Sequence, residues 1–101
     1  MTKADLVDRI ADGTGLTKLE TEAVIDGFLL TVRETLEADG AVELRGFGSF
    51  RVKERAARTA RNPQTGASVA VPRHFVPVFK ASQEFRRTVN EAHLAAERRS
   101  G

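Results

Sequence analysis

The sequence has no cysteine, no tryptophan and no tyrosine, and it has only three prolines among its 101 residues. Without cysteine, neither disulfide bonds nor thiolate metal sites can form. No apolar run approaches membrane-spanning length, and the first residues carry no apolar signal segment. A chain this short suits one domain with a small core, which a dimer interface would complete. These features predict a single-domain cytoplasmic protein.

The sequence also lacks the residue combinations that catalysis requires. His74 and His93 are the only histidines, and they are far apart in the chain with no thiol to pair with. The glycines of Gly13-Thr14-Gly15 and Gly46-Phe47-Gly48 lack the strand-to-helix context and the later glycine of a dinucleotide-binding motif. We therefore expect no enzymatic activity, no cofactor, no metal, no small-molecule substrate and no membrane partner.

The charge that is present is unevenly distributed. Residues 1–43 contain ten acidic and four basic side chains, whereas residues 44–101 contain four acidic and twelve basic ones, although the net charge is only +2. A chain with one acidic half and one basic half should bind a polyanion through the basic half.

Three segments have the pattern of helices. Thr2 with Asp5 and Thr17 with Glu20 are capping-box pairs, so we expect one helix from Thr2 and a long one from Thr17 to about Ala38. Gly27 weakens the second helix unless another element approaches its backbone closely. Ser82 is positioned to cap a third helix, and we expect the polar tail after Ala96 to fray.

Between the helices the apolar period changes to two, which is typical of strands. Glu43, Arg45, Ser49, Arg51 and Lys53 should share one basic outer face. Asn62-Pro63-Gln64-Thr65 has the composition of a β-turn, and Gly66 can adopt the positive φ that closes a hairpin loop. From Arg55 to Ser68 there is no large apolar side chain, so this hairpin should project from the body. The segment Phe75–Phe79 is apolar on both faces, as a strand covered on both sides would be, and its Pro77 fits an edge strand.

The stretch Gly46-Phe47-Gly48-Ser49-Phe50, followed by Arg55, Arg58 and Arg61-Asn62-Pro63-Gln64-Thr65-Gly66, resembles the bacterial DNA-bending proteins HU and integration host factor. The resemblance extends from Thr2 to about Asn90. It implies an α+β fold with two N-terminal helices, a three-stranded antiparallel sheet extended into a protruding β-arm, and a C-terminal helix, in an intertwined dimer. The implied domain covers residues 1–92, with the arm at about 53–75 and a short C-terminal extension at 93–101.

The resemblance also implies a function. HU and integration host factor are established examples of minor-groove proteins that insert apolar wedges and bend DNA. By likeness, this chain would be a nucleoid-associated architectural protein that binds double-stranded DNA, mostly independently of sequence, and bends and compacts it. Pro63 would intercalate at the arm tip. The implied DNA-binding residues are Lys3, Arg45, Ser49, Arg51, Lys53, Arg55, Arg58, Arg61, Asn62, Pro63, Gln64, Arg73, Lys80 and Arg86. The implied dimer core consists of Phe28, Phe47, Phe50, Phe79 and Phe85.

Several alternatives remain open at this point. The phenylalanines alone are also compatible with an ordinary monomer core. Glu43 could orient Arg45 toward a base edge, as in the site-specific β subunit of integration host factor, or the two could form a plain surface ion pair. The dimer could be a homodimer or a heterodimer with a paralogue, and the fold could instead serve as a protein-interaction module.

Three positions depart from the family pattern. Ala60 stands where the family usually has glycine, and Ala67 and Phe75 stand where many members have lysine. With fewer cations at the arm base and an acidic N-terminal half, we expect weaker or more salt-sensitive DNA binding than in a typical member.

Overall fold

The computed structural model describes residues 1–100 of the chain, which form three helices and five strands. In chain order the elements are α1 (Lys3–Thr14), α2 (Lys18–Glu37), β1 (Val42–Leu44), β2 (Gly48–Arg55), β3 (Arg58–Arg61), β4 (Ser68–Val71), β5 (His74–Ala81) and α3 (Gln83–Ser100). This arrangement confirms the predicted α+β class and the predicted order of elements.

Both predicted capping boxes are present at the starts of the first two helices. The Asp5 backbone N–H donates to the Thr2 hydroxyl while the Asp5 carboxylate accepts from the Thr2 backbone N–H at 2.9 Å. Thr17 and Glu20 make the same reciprocal pair at α2. Because the carboxylates accept these backbone and hydroxyl hydrogen bonds, the pKa values of Asp5 and Glu20 lie below their usual values. The helix starts are thus fixed by local sequence.

The strands form two separate sheets. The first has the order β1-β2-β5 and is antiparallel throughout, and the second is the hairpin of β3 and β4. We call residues 58–71, which are β3, β4 and the loop between them, the arm. The first sheet ends at the pair Arg55–His74, and the arm begins at the pair Arg58–Val71. The predicted sheet with a β-arm is therefore confirmed.

An aromatic cluster joins the first sheet to α2 and α3. Phe47, Phe50 and Phe79 lie at the centre, with ring centroids 5.2 Å apart for Phe47–Phe79 and 5.0 Å for Phe50–Phe79. Phe85 stacks on Phe47 at 4.9 Å, and Phe28 meets Phe50 edge-on at 6.5 Å. All five predicted core phenylalanines therefore belong to one connected cluster within a single chain.

The hairpin between β1 and β2 packs tightly against the start of α3. The Phe47 carbonyl accepts from the Ser82 backbone N–H at 2.8 Å, and the Ser82 hydroxyl accepts from the Phe85 N–H, as the predicted cap requires. A Cβ at Gly48 would lie 2.7 Å from Phe79 Cζ and would also clash with the Lys80 carbonyl oxygen. Only glycine therefore allows β2 to approach β5 and Phe79 this closely.

The structure corrects several local expectations. The predicted polar tail is helical, because α3 continues past Ala96 to Ser100; Gly101 lies outside the described residues. No described atom lies within 4 Å of a Cβ built on Gly27, so the predicted close approach is not made within the chain. The strand β5 lies at the sheet edge, as Pro77 predicted, but Phe75 and Phe79 are 58% and 42% exposed, so this strand is not covered on both sides within one chain.

Candidate nucleic-acid interface

The arm is a narrow hairpin whose side chains are almost all exposed. Its pairing is regular, from Arg58–Val71 to Arg61–Ser68. From Arg55 to Val71 the chain carries three arginines and no acidic residue. Since side chains alternate between the faces of a strand, Arg58 and Arg61, three positions apart, point to opposite faces of the arm. The arm is therefore cationic on both faces.

The arm tip is held by hydrogen bonds that leave its proline exposed. The Gly66 N–H donates to the Asn62 carbonyl at 2.8 Å, and the Asn62 N–H donates to the Ala67 carbonyl at 2.9 Å. The Asn62 side-chain oxygen accepts from the Gln64 N–H at 2.9 Å. The closing bond spans five residues instead of the four of a β-turn, and Gly66 has the predicted positive φ, 71°. Pro63 thus lies at the outer end of a preformed loop.

A second group of basic side chains lies on the outer face of the first sheet. Ser49, Arg51 and Lys53 alternate along β2 and point to one side. Ser49 pairs with Lys80 of β5, which places Lys80 on the same face, and the Ser49 hydroxyl lies 3.4 Å from Arg51 Nε. Arg86, on the first turns of α3, joins Arg45, Ser49 and Lys80 around one open cavity. The structure thus brings these predicted residues together.

Arg45 is not placed as predicted. The strand β1 ends at Leu44, and Arg45 lies in the turn that follows, so it is not part of the strand that carries Glu43. Within residues 1–100, the two side chains form no ion pair. The prediction that both belong to one strand was therefore wrong, because sequence alternation alone does not show where a strand ends. Glu43 and Arg45 nevertheless line the same cavity, together with Lys80 and Arg86.

Two of the predicted DNA-binding cations form ion pairs with carboxylates of the same chain. Lys3 Nζ lies 2.9 Å from Asp26 and 3.8 Å from Glu22, and the Asp26 bond raises the pKa of Lys3. Arg73 makes a two-pronged ion pair with Glu54, at 2.8 and 3.1 Å. Glu54 was absent from the predicted site, because nothing in the local sequence signals a partner 19 residues away. Both cations keep unused N–H donors, but the neighbouring carboxylates reduce the positive charge that they present to a phosphate.

Other kinds of site were also sought in the described part of the chain. Within residues 1–100, no cluster of three or more metal-ligating side chains occurs. None of the described helices is both long enough and apolar enough to span a membrane. The basic arm and the basic face of the first sheet are the candidate binding surfaces considered below.

The fold and the site together define a class: a small α+β protein with a projecting cationic β-arm. The family model described as bacterial DNA-binding protein matches residues 1–90. The DNA-binding protein HU of Clostridium pasteurianum is 43% identical over 91 residues, covering 90% of this chain and all of the relative. The integration host factor subunit alpha of Methylobacillus flagellatus is 38% identical over 96 residues, covering 95% and 96% of the two chains.

Solved structures agree with these relatives. An Anabaena HU–DNA cocrystal structure is similar with a TM-score of 0.82 and 40% identity, over 88% of this chain and 97% of that one. HU from Thermotoga maritima is similar with a TM-score of 0.64 and 28% identity, over 88% and 98%. The chain belongs to the bacterial DNA-binding protein family that contains HU and integration host factor. This is a family of architectural DNA-binding proteins and not of enzymes, and the predicted resemblance is confirmed.

Proposed function

We propose that the chain works as a dimer that holds double-stranded DNA between two arms, bends it at the arm tips and compacts the bacterial nucleoid. The observation that carries this proposal is the arm itself, an exposed hairpin with arginines on both faces and a proline at its tip. The similarity to an HU–DNA cocrystal structure supports it.

The two cationic faces favour a groove as the binding site of the arm. Both walls of a DNA groove are lined by phosphates, so an arm inserted into the groove meets negative charge on either side. The minor groove is the narrower of the two, about 6 Å wide, and its potential attracts arginine. Arg58 and Arg61 would each face one wall, while a ligand lying on one side of the arm would use only half of this charge.

Pro63 supplies the apolar group that intercalation requires. Its ring is rigid and it has no backbone N–H to leave unsatisfied between bases. The Asn62 and Gly66 hydrogen bonds order the loop before binding, so little of its conformational freedom remains to be lost. Unstacking a base step costs a few kcal/mol, which phosphate contacts on the sheet face would offset.

The large accessible surface area of the single chain supports the association of two chains. The chain has 8449 Å² of accessible surface, whereas a monomer of 11.0 kDa usually has about 5,600 Å². The Cα radius of gyration is 19.2 Å, against about 13 Å for a compact domain of this length. The buried apolar residues are only Val7 and Ala11 within the described range. One chain alone therefore has too small a core to account for a stable domain.

The surface that a second chain would cover is an open apolar cavity between α2 and the first sheet. It has a volume of about 810 Å³ and is lined by Phe28, Leu29, Val32, Leu36, Phe50, Val52, Phe75, Val76 and Pro77, with Arg33, Glu37 and Asp39 at its edge. Phe28 and Leu29 of α2 are 43% and 52% exposed on this surface, so a second copy placed here would bury apolar side chains that the single chain leaves in water.

We expect the wild-type protein to sediment at twice the 11.0 kDa chain mass. The variant Leu29→Glu should dissociate, because its carboxylate would be desolvated among the apolar side chains of the interface, at a cost that a pair with Arg33 one helical turn away repays only in part. Leu19→Glu is the matched control, since Leu19 is 80% exposed and lies outside the cavity. Analytical ultracentrifugation measures both. A dimer that withstands Leu29→Glu, or a wild-type chain that stays monomeric, would contradict the proposed interface.

The proposed DNA binding is tested by titrating duplex DNA at increasing salt. If arm and sheet cations replace phosphate counterions, log K falls linearly with log salt, by about 0.9 for each phosphate contacted on B-DNA. A protein-interaction module would show no such binding to duplex DNA. The same titration with a known HU tests the expectation that Ala60, Ala67 and Phe75 weaken DNA binding. If this protein and the known HU bind duplex DNA with comparable affinity at moderate salt, that expectation is wrong.

A further inference from the structure

The arm is connected to the body by two short segments that lack strand pairing. Ala56 and Ala57 separate β2 from β3, and Pro72 and Arg73 separate β4 from β5. The ladder of the first sheet stops at Arg55–His74 and resumes only at Arg58–Val71. Strand hydrogen bonds therefore do not fix the angle between the arm and the body at this joint.

A group of three side chains lies on the body side of the joint. Glu54, at the end of β2, is directly opposite Phe75 of β5, so both point to the same face of the sheet. Arg73, in the connecting segment, donates two hydrogen bonds to the Glu54 carboxylate, at 2.8 and 3.1 Å. The Arg73 guanidinium also lies 5.0 Å from the centre of the Phe75 ring, within the range of a cation–π contact. Arg73 is therefore held to both strands of the body.

We propose that Glu54, Arg73 and Phe75 form a brace that fixes the direction in which the arm leaves the body. Glu54 supplies a planar carboxylate that matches the guanidinium fork, and Phe75 supplies the surface on which that fork lies. Because Arg73 precedes β5 directly, holding its side chain also restrains the backbone of the connecting segment. Phe75 in turn lines the apolar cavity beside α2, which ties the brace to the body.

The brace is expected to act on arm motion and not on global stability. All of its charged groups are half exposed or more, and surface ion pairs contribute little to folding. A restrained arm is already oriented when the ligand arrives, which reduces the entropy lost on binding. Glu54, an acidic residue at the base of a cationic arm, is thus a positioning residue.

The test measures backbone motion in the free protein by ¹⁵N relaxation. In the wild-type protein we expect the amides of Ala56, Ala57 and Arg73 to have order parameters near those of rigid backbone, about 0.85. In Glu54→Gln and in Arg73→Gln these order parameters should fall below about 0.6, the range of flexible segments. The double variant should be no more mobile than either single one. The charge exchange Glu54→Arg with Arg73→Glu should restore part of the order.

The matched control is Glu91→Gln, which breaks an arginine–glutamate pair of similar exposure within α3. The exposed fractions are 60% and 61% for Arg87–Glu91 and 60% and 50% for Arg73–Glu54. This control should leave the joint amides unchanged. The brace is refuted if the joint is as ordered in Glu54→Gln as in the wild-type protein, or is already flexible in the wild-type protein. Because no DNA is present, either result is independent of the proposed DNA binding.

Discussion

Replacing Arg55 at the end of β2 and Arg58 and Arg61 of the arm by glutamine should make the salt dependence of DNA binding much shallower. The variant carries Arg55→Gln, Arg58→Gln and Arg61→Gln, so a dimer loses six cations. If each contacts one phosphate, the slope of log K against log salt should become shallower by about five, at 0.9 for each contact. Between 50 and 200 mM salt, a slope shallower by about five means that the variant loses about 10³-fold less affinity than the wild-type protein does. Fluorescence anisotropy with a labelled duplex at several salt concentrations measures it.

The control removes the same charge elsewhere. Arg9→Gln, Arg98→Gln and Arg99→Gln together lower the net charge equally, but these positions lie on α1 and at the end of α3, away from the arm. This control should bind DNA with a slope near that of the wild-type protein. If both triple variants change the slope equally, the arm has no special role and only net charge attracts the DNA.

The variant Pro63→Ala should separate bending from binding. Alanine keeps the loop bonds of Asn62 and Gly66 but removes the rigid ring, so the arm can still enter the groove without unstacking a base step. Apolar wedges of this type kink DNA by about 20–90°. We expect Pro63→Ala to lose most of the kink, with a salt slope like that of the wild-type protein, as measured by energy transfer between labelled duplex ends.

Two further variants test whether an apolar side chain of sufficient size at position 63 is what kinks the DNA. In Pro63→Leu the kink should largely return, since leucine is among the side chains that act as wedges. Gln64→Ala changes the next residue of the tip and should leave the kink intact. Unchanged bending by Pro63→Ala would show that the tip does not intercalate.

The features that the sequence predicts well are local ones. Thr2 and Asp5 are three residues apart, so their capping box depends on one helical turn and little else. The loop from Asn62 to Gly66 was predicted for the same reason, because the conformations of proline and glycine are restricted or permitted by their own covalent structure. In both cases the physical cause lies within a few residues of its effect.

The features that the sequence did not predict depend on pairing across the fold. Arg73 finds Glu54 only because the register of β2 and β5 brings residues 19 positions apart together. The position of Arg45 depends on where β1 stops, which alternation does not reveal. The length of α3 was underestimated because Arg98 and Arg99 in the last turn favour the helix C-terminus, so a polar tail is not necessarily frayed.

The exposed apolar surface shows a second way in which the sequence pattern fails to predict burial within one chain. The pattern of Phe75–Phe79 predicts a strand covered on both faces, yet a single chain leaves Phe75 mostly exposed. The same applies to Gly27, whose expected close neighbour is absent from the described chain. A sequence pattern can indicate that a side chain is buried, but it does not show whether the same chain or a second copy, as proposed above, covers it.

The most direct test of the account is the shape of a duplex bound by the wild-type protein at low ionic strength. Energy transfer between dyes on the two ends, combined with the mass of the complex, gives the end-to-end distance for a known stoichiometry. The account predicts that a dimer shortens this distance well below that of the free duplex. A bound monomer, or a dimer that leaves the end-to-end distance unchanged, would contradict it.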